Sequence, residues 1–69
     1  MELVWYKKGF EAAYSDGDAE QAFKYWKKGA EEGCTRSMMN LAACYSLGWG
    51  CERDREKAMY WQQQLRDNN

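Results

Sequence analysis

No histidine occurs among the 69 residues of this chain. Its absence removes the side chain most used as a general base near neutral pH and the one most used to hold a transition metal. Three cysteines remain as soft ligands or nucleophiles. None stands in C-x-x-C spacing, and no motif supplies the partner base or lowered pKa that a thiol nucleophile needs. A glycine-rich phosphate loop is missing too, because Gly48-Trp49-Gly50 follows a helical pattern rather than a strand and reads as a turn. The neighbouring carboxylates Glu31 with Glu32 and Asp16 near Asp18 fall at helix ends, where capping and solvation account for them. The inventory predicts a chain that is not an enzyme, with no catalytic residue, no metal and no cofactor.

Charge of one sign is lacking as well. Ten Lys and Arg against eleven Asp and Glu leave a net charge of -1, so no long-range field favours nucleic acid as a partner. No stretch approaches the apolar length needed to span a bilayer, and residues 1–14 hold no uninterrupted apolar segment of signal-peptide length. No membrane association and a cytoplasmic location are therefore expected. An odd number of cysteines without a secretory signal fits free thiols in a reducing compartment. Cys34 and Cys51 would stand about 18 Å apart at ~1.5 Å rise per residue along one helix, too far to bridge. Cys44 and Cys51 are the pair that sterics would allow to meet, with reduced thiols the expectation.

What the chain does have is rings. Four Trp, five Tyr and two Phe make 16% of it aromatic, and 45% is hydrophobic, which excludes disorder. At this length it forms one domain over residues 1–69, and such a domain buries only roughly 60% of its unfolded surface.

The pattern centres on residues 37–61. Met38, Leu41, Ala42 and Tyr45 recur at helical spacing, a turn follows at Gly48 and Gly50, and Ala58, Trp61 and Leu65 recur again. That is a helical hairpin, with the small Ala42 and Ala58 where two helices must approach. One hairpin cannot bury both of its faces, so a second copy is expected. Ala22 and Tyr25 answer to Ala58 and Trp61 at an offset of 36 residues, while Tyr14 to Gly17 answers to Tyr45 to Gly48 at an offset of 31. The first connecting loop should thus be five residues shorter than the second. A period in the thirties with two helices per unit marks an α-solenoid.

These residues resemble the Sel1-like repeat, a relative of the tetratricopeptide repeat. Leu41, Tyr45, Gly48, Gly50, Asp54, Lys57, Ala58 and Trp61 match its spacing, with Ser37, Ala42 and Cys51 as small or apolar replacements. The linker of that family is matched by residues 28–33, Lys-Gly-Ala-Glu-Glu-Gly. The short turn at residues 14–19 looks more like a tetratricopeptide turn. The resemblance implies an all-α chain of two helix-turn-helix repeats, about residues 1–33 and 34–69, whose four antiparallel helices form a short solenoid. It further implies a non-enzymatic scaffold or adaptor that binds other proteins.

In chain order, helix one should span residues 2–15 and turn Leu3, Tyr6, Phe10 and Ala13 inward, with Gly9 marking close packing or a loose turn. Asp18 with Gln21 should open helix two, over residues 19–32, burying Ala22, Phe23, Trp26 and Ala30. Lys24, Lys27 and Lys28 read as a solvated basic strip. Thr35 should cap helix three over residues 36–47, Asp54 should cap helix four to Arg66, and the Asp67-Asn-Asn tail should fray.

On the inner face of the solenoid, helix three would offer Arg36, Met39, Ala43, Ser46 and Leu47, and helix one Trp5 and Ala12. Trp49, between two glycines, would stand at the rim, either as a contact residue or folded back on its hairpin. Met and Trp in a shallow groove suit an apolar peptide or helix. The expected function is a small stand-alone repeat protein that binds, and inhibits or adapts, a protein partner. The alternative is a structural homodimer in which a second copy covers the apolar surface.

Overall fold

A computed structural model describes residues 3–67. Four helices follow one another, α1 over Val4–Tyr14, α2 over Ala19–Glu31, α3 over Thr35–Leu47 and α4 over Arg55–Asp67, with no β-strand among the described residues. The expected start of helix one at Glu2 and the fraying of Asn68 and Asn69 lie outside those residues, and Asp67 itself belongs to α4.

Two of the four helices open on a carboxylate. Asp18 accepts from the Gln21 amide and Asp54 from the Lys57 amide, each at 3.1 Å, satisfying donors that a helix start leaves without partners. Thr35 does not act as the cap of α3. It is the first helical residue, Cys34 precedes it at the cap position, and no side chain bonds to the open amides there.

The helices alternate in direction. Trp5 near the start of α1 stacks on Tyr25 in the second half of α2, at 6.0 Å between ring centroids. Phe23 in α2 meets Tyr45 late in α3 edge-on at 5.4 Å. Hence α1 and α3 run parallel, with α2 and α4 antiparallel to them, in a slab whose Cα extents are 32 × 28 × 13 Å. Leu47 ends α3 on Gly48 in the left-handed region at φ 70°, and the amide of Asp54 donates to the Tyr45 carbonyl to close the second loop. The second hairpin's extra five residues are divided. Three lengthen the loop, four residues in the first hairpin and seven in the second, and two extend α3 beyond the point where α1 stops.

Two core clusters hold the helices. One joins Ala30, Met38, Leu41, Tyr45 and Ala58, with Phe23, Trp61 and Leu65 packed on it. The other joins Ala12, Ala22, Trp26 and Cys44. Phe23 is therefore only partly buried, and Gly29 takes a buried place in α2.

The register of α1 differs from the expected one. Gly9 and Ala12 are its buried residues and Phe10 is 41% exposed, so the inward line lies about 100°, one residue, around the helix from that drawn through Phe10. The cause is Trp26. Its indole lies flat across α1 where Gly9 has no side chain, a Cβ there would fall inside the ring, and its Nε1 donates to the Tyr6 carbonyl at 3.2 Å. A stripe centred on glycine adds nothing to a hydrophobic count, so periodicity chose the larger residues beside it.

Candidate functional site: a trough between the first and third helices

Where Gly9 and Ala12 turn inward, the next residues around α1 turn towards α3. Tyr6, Phe10 and Tyr14, four residues apart, form a ladder of rings with centroid separations of 5.3 and 4.8 Å. Opposite them α3 presents Arg36, Met39, Asn40, Ala43 and Leu47, all at helical spacing and none of them buried. The two walls enclose a trough.

One end of the trough is apolar. Tyr14, Asn40, Ala43, Leu47 and Trp49 line a hollow of about 230 Å³ against Trp26 and Cys44. Trp49 stacks on Trp26 at 5.6 Å with an interplanar angle of 28° and keeps 38% of its surface exposed. Gly50 sets it there. Its φ of 73° is a left-handed value, and a Cβ would stand 2.9 Å from the carbonyl carbon of Ala19, so the loop lies directly on the start of α2 and swings Trp49 over Trp26. The aromatic between two glycines thus folds back across the boundary between the hairpins and still shows an edge at the rim.

The other end carries charge. Tyr6, Arg36, Met39 and Asn40 surround a second hollow of about 330 Å³, and the Arg36 guanidinium lies 5.9 Å from the Tyr6 ring centre. On another face of α1, turned towards α2 where Trp5 stacks on Tyr25, the ammonium groups of Lys8 and Lys28 stand 5.2 and 5.1 Å from the ring centre of Trp5. Asn40 borders both hollows and joins them.

Cys44 lies at the back of the apolar end. Burial, with the neighbouring Cys51 thiol adding to it, pushes its pKa up from 9.0 to about 12, and burial raises Cys51 as well. Both stay protonated at neutral pH and neither is activated as a nucleophile. All three cysteines are free thiols, and that of Cys51 points at the Cys44 carbonyl oxygen at 3.6 Å. Among the described residues, no group of three or more acids and cysteines is placed to hold a metal ion.

The structure distributes the predicted site residues unevenly. It brings Ala43, Leu47 and Trp49 to the apolar end and Arg36 with Met39 to the charged end. Ser46 faces the opposite flank of α3, with Arg53, Arg55, Met59 and Gln62. Trp5 is half-buried against α2, and Ala12 is buried at 3% exposure. Sequence reasoning assigned Tyr6, Phe10 and Trp26 to the core and missed Tyr14 and Asn40. The signal that finds the ladder is the four-residue spacing of Tyr6, Phe10 and Tyr14.

The family model described as Sel1 repeat matches residues 4–34 and again residues 35–68. The chain belongs to the Sel1 repeat family. No curated protein and no solved structure matches it. Sel1 repeats are non-catalytic units that generally mediate protein–protein interaction, and the two matched here correspond to the hairpins α1–α2 and α3–α4. No helix among the described residues is long and apolar enough to cross a membrane.

Proposed function

We propose that this Sel1 repeat protein catalyses no reaction and takes up a segment of a partner protein along the trough, as an inhibitor or an adaptor. The observation that carries the reading is where large apolar side chains are left uncovered. Leu47 is 77% exposed, Tyr14 75% and Met39 59%, and all three line one continuous depression on the face formed by the parallel helices. Soluble monomers rarely leave so much apolar surface together without a use for it.

Affinity capture from the native host with immobilised protein tests the reading. A partner retained by the unaltered chain should be lost by Leu47→Asp and by Tyr14→Ala. It should be kept by Met59→Gln, which alters α4 on another flank. Retention of the partner by both trough variants, with circular dichroism unchanged, would refute the assignment.

A second copy as the occupant is the rival reading, and α4 favours it, since Met59 is 65% and Tyr60 55% exposed there. Sedimentation velocity distinguishes the two. A dimer at micromolar concentration that Met59→Gln with Tyr60→Gln dissociates would assign the apolar surface of α4 to self-association.

A further inference from the structure

Ala19, Phe23, Trp26 and Ala30 fall on one line along α2, and that line carries the second hairpin. The loop at Gly50 lies against the Ala19 carbonyl, Phe23 meets Tyr45 edge-on, Trp26 packs on Cys44 and Trp49, and Ala30 sits among Met38, Leu41 and Tyr45. In α4 the same line, 36 residues on, reads Arg55, Met59, Gln62 and Arg66. All four are exposed, Met59 at 65%. The two repeats build the same edge and give it different chemistry.

The edge of the second repeat is basic. Ser46, Arg53, Arg55, Ala58, Met59 and Gln62 line a hollow of about 350 Å³ between α3 and α4, and Arg66 follows Gln62 one turn further along the same line. None of the three arginines forms an ion pair with a carboxylate among the described residues. The acids nearest in sequence are turned elsewhere. Asp54 accepts from the Lys57 amide and Asp67 from the Gln63 side chain, each at 3.1 Å, and Glu56 stands about 100° around α4 from Arg55. Glu52 lines a different hollow, with Phe23, Tyr45 and Lys57, and Arg53 borders both.

We infer that this edge receives a helix of a partner protein whose facing line sets an apolar residue between acids, the apolar residue on Met59 and the acids on Arg53, Arg55 and Arg66. The site is separate from the trough and does not depend on it. A helical occupant follows from the repeat, because the corresponding line of the first hairpin holds a helix, α3. Acids follow from the three unpaired guanidinium groups, which take carboxylates by charge and by paired hydrogen bonds. A second copy stacked head to tail is opposed by charge. Lys8 stands about 200° around α1 from Tyr6 and Phe10, and Lys28 about 200° around α2 from Trp26 and Ala30, so both lie on the flank of the first hairpin turned away from α3. Stacking would set them against the arginines. A nucleic-acid strand fits less well, since a net charge of -1 draws it from no distance.

Selection against the full chain of a phage-displayed library of helical peptides, randomised along one face, tests the inference, followed by titration of the enriched sequences as synthesised peptides. One class of peptide should lose affinity about tenfold or more in the charge-reversed variant R53E/R55E/R66E, and several-fold from about 50 to about 500 mM salt. Met59→Gln should weaken the same class several-fold, and Leu47→Asp should leave it unchanged. Its randomised face should hold Asp or Glu on both sides of an apolar residue. The neutral variant R53Q/R55Q/R66Q should lie between the parent and the reversed protein, and circular dichroism should be the same for all of them.

Enrichment only of peptides that Leu47→Asp abolishes and charge reversal leaves unchanged would overturn the edge site while supporting the trough. Peptides that respond to the arginines but not to Met59→Gln, or that a single-stranded oligonucleotide displaces, would overturn it as well. A dimer in sedimentation velocity that Met59→Gln with Tyr60→Gln dissociates would give the edge to a second copy and overturn it likewise. No enrichment of any peptide would overturn the edge and the trough readings together.

Discussion

Gly9 contributes a hydrogen atom where every other residue would contribute a side chain, and Trp26 occupies the space. In an exposed helix, Gly→Ala stabilises by about 1 kcal/mol. Here the sign should reverse. Gly9→Ala drives a methyl group into the indole and displaces the hydrogen bond from Trp26 Nε1 to Tyr6, and overpacking of that kind costs about 1–3 kcal/mol. Urea unfolding of the two proteins measures it, and a variant as stable as the parent would mean that the indole does not lie on Gly9. Ser37 makes the opposite case. Its hydroxyl is fully buried against Gly29 with no hydrogen-bond partner, so Ser37→Ala removes an unsatisfied polar group and should be neutral or stabilising by about 1 kcal/mol. A clear loss of stability in the same assay would show a partner for that oxygen. The Cys44 thiol adds a pH dependence. Its folded pKa, near 12, lies above the 9.0 of the free group, so above pH 9 the unfolded chain releases a proton that the folded chain retains. Stability conferred by burying the neutral thiol is complete below pH 9 and declines as pH rises towards 12. Cys44→Ala should flatten that alkaline fall, and unfolding midpoints between pH 8 and 11 would show it.

Each element is set by small residues at its contact line and by what closes its ends. Ala42 and Ala58 are both 3% exposed, and the contact of α3 with α4 runs past Ala58 to Leu41, Tyr45 and Trp61. A leucine at either position should separate the helices and cost about 1–3 kcal/mol. Thermal unfolding checks this, and no change at both positions would displace the hairpin register. The element ends were legible in the chain because their chemistry is local: Asp18 and Asp54 meet amides three residues on. The cap of α3 was not. Thr35 is a good capping residue by type, yet the turn through Gly33 places Cys34 in the extended conformation one residue earlier, and the helix takes Thr35 into its first turn.

Neither Sel1 repeat owns a complete core. Ala30 from the first repeat sits among Met38, Leu41, Tyr45 and Ala58 of the second, and Cys44 from the second sits with Ala12, Ala22 and Trp26 of the first. The stack of Trp49 on Trp26 crosses the same boundary. Coupling of this kind makes the chain one cooperative unit, since each repeat is a single hairpin with too little surface to bury alone. Fragments 1–34 and 35–69 should each lack helix by circular dichroism, and mixing them should restore part of the signal. A helical isolated fragment would show that the repeats fold independently.

The helices, their order and the repeat were determined by the sequence itself, because helical spacing, glycine turns and aspartate caps act over three or four residues and need no distant partner. So was the family, which rests on spacings within the second hairpin such as Tyr45, Gly48, Asp54 and Ala58. Only the tertiary structure decided which side of α1 faces in. That choice depends on Trp26, 17 residues beyond Gly9, finding a gap where a side chain is missing, and a gap has no hydrophobicity to count. The choice moved Tyr6 and Phe10 from an expected core stripe to the wall of a trough, where Tyr14 continues their ladder. It also withdrew Ala12 from the exposed face. Long-range packing assembled the site because its residues come from helices whose faces are fixed only when all of them are docked.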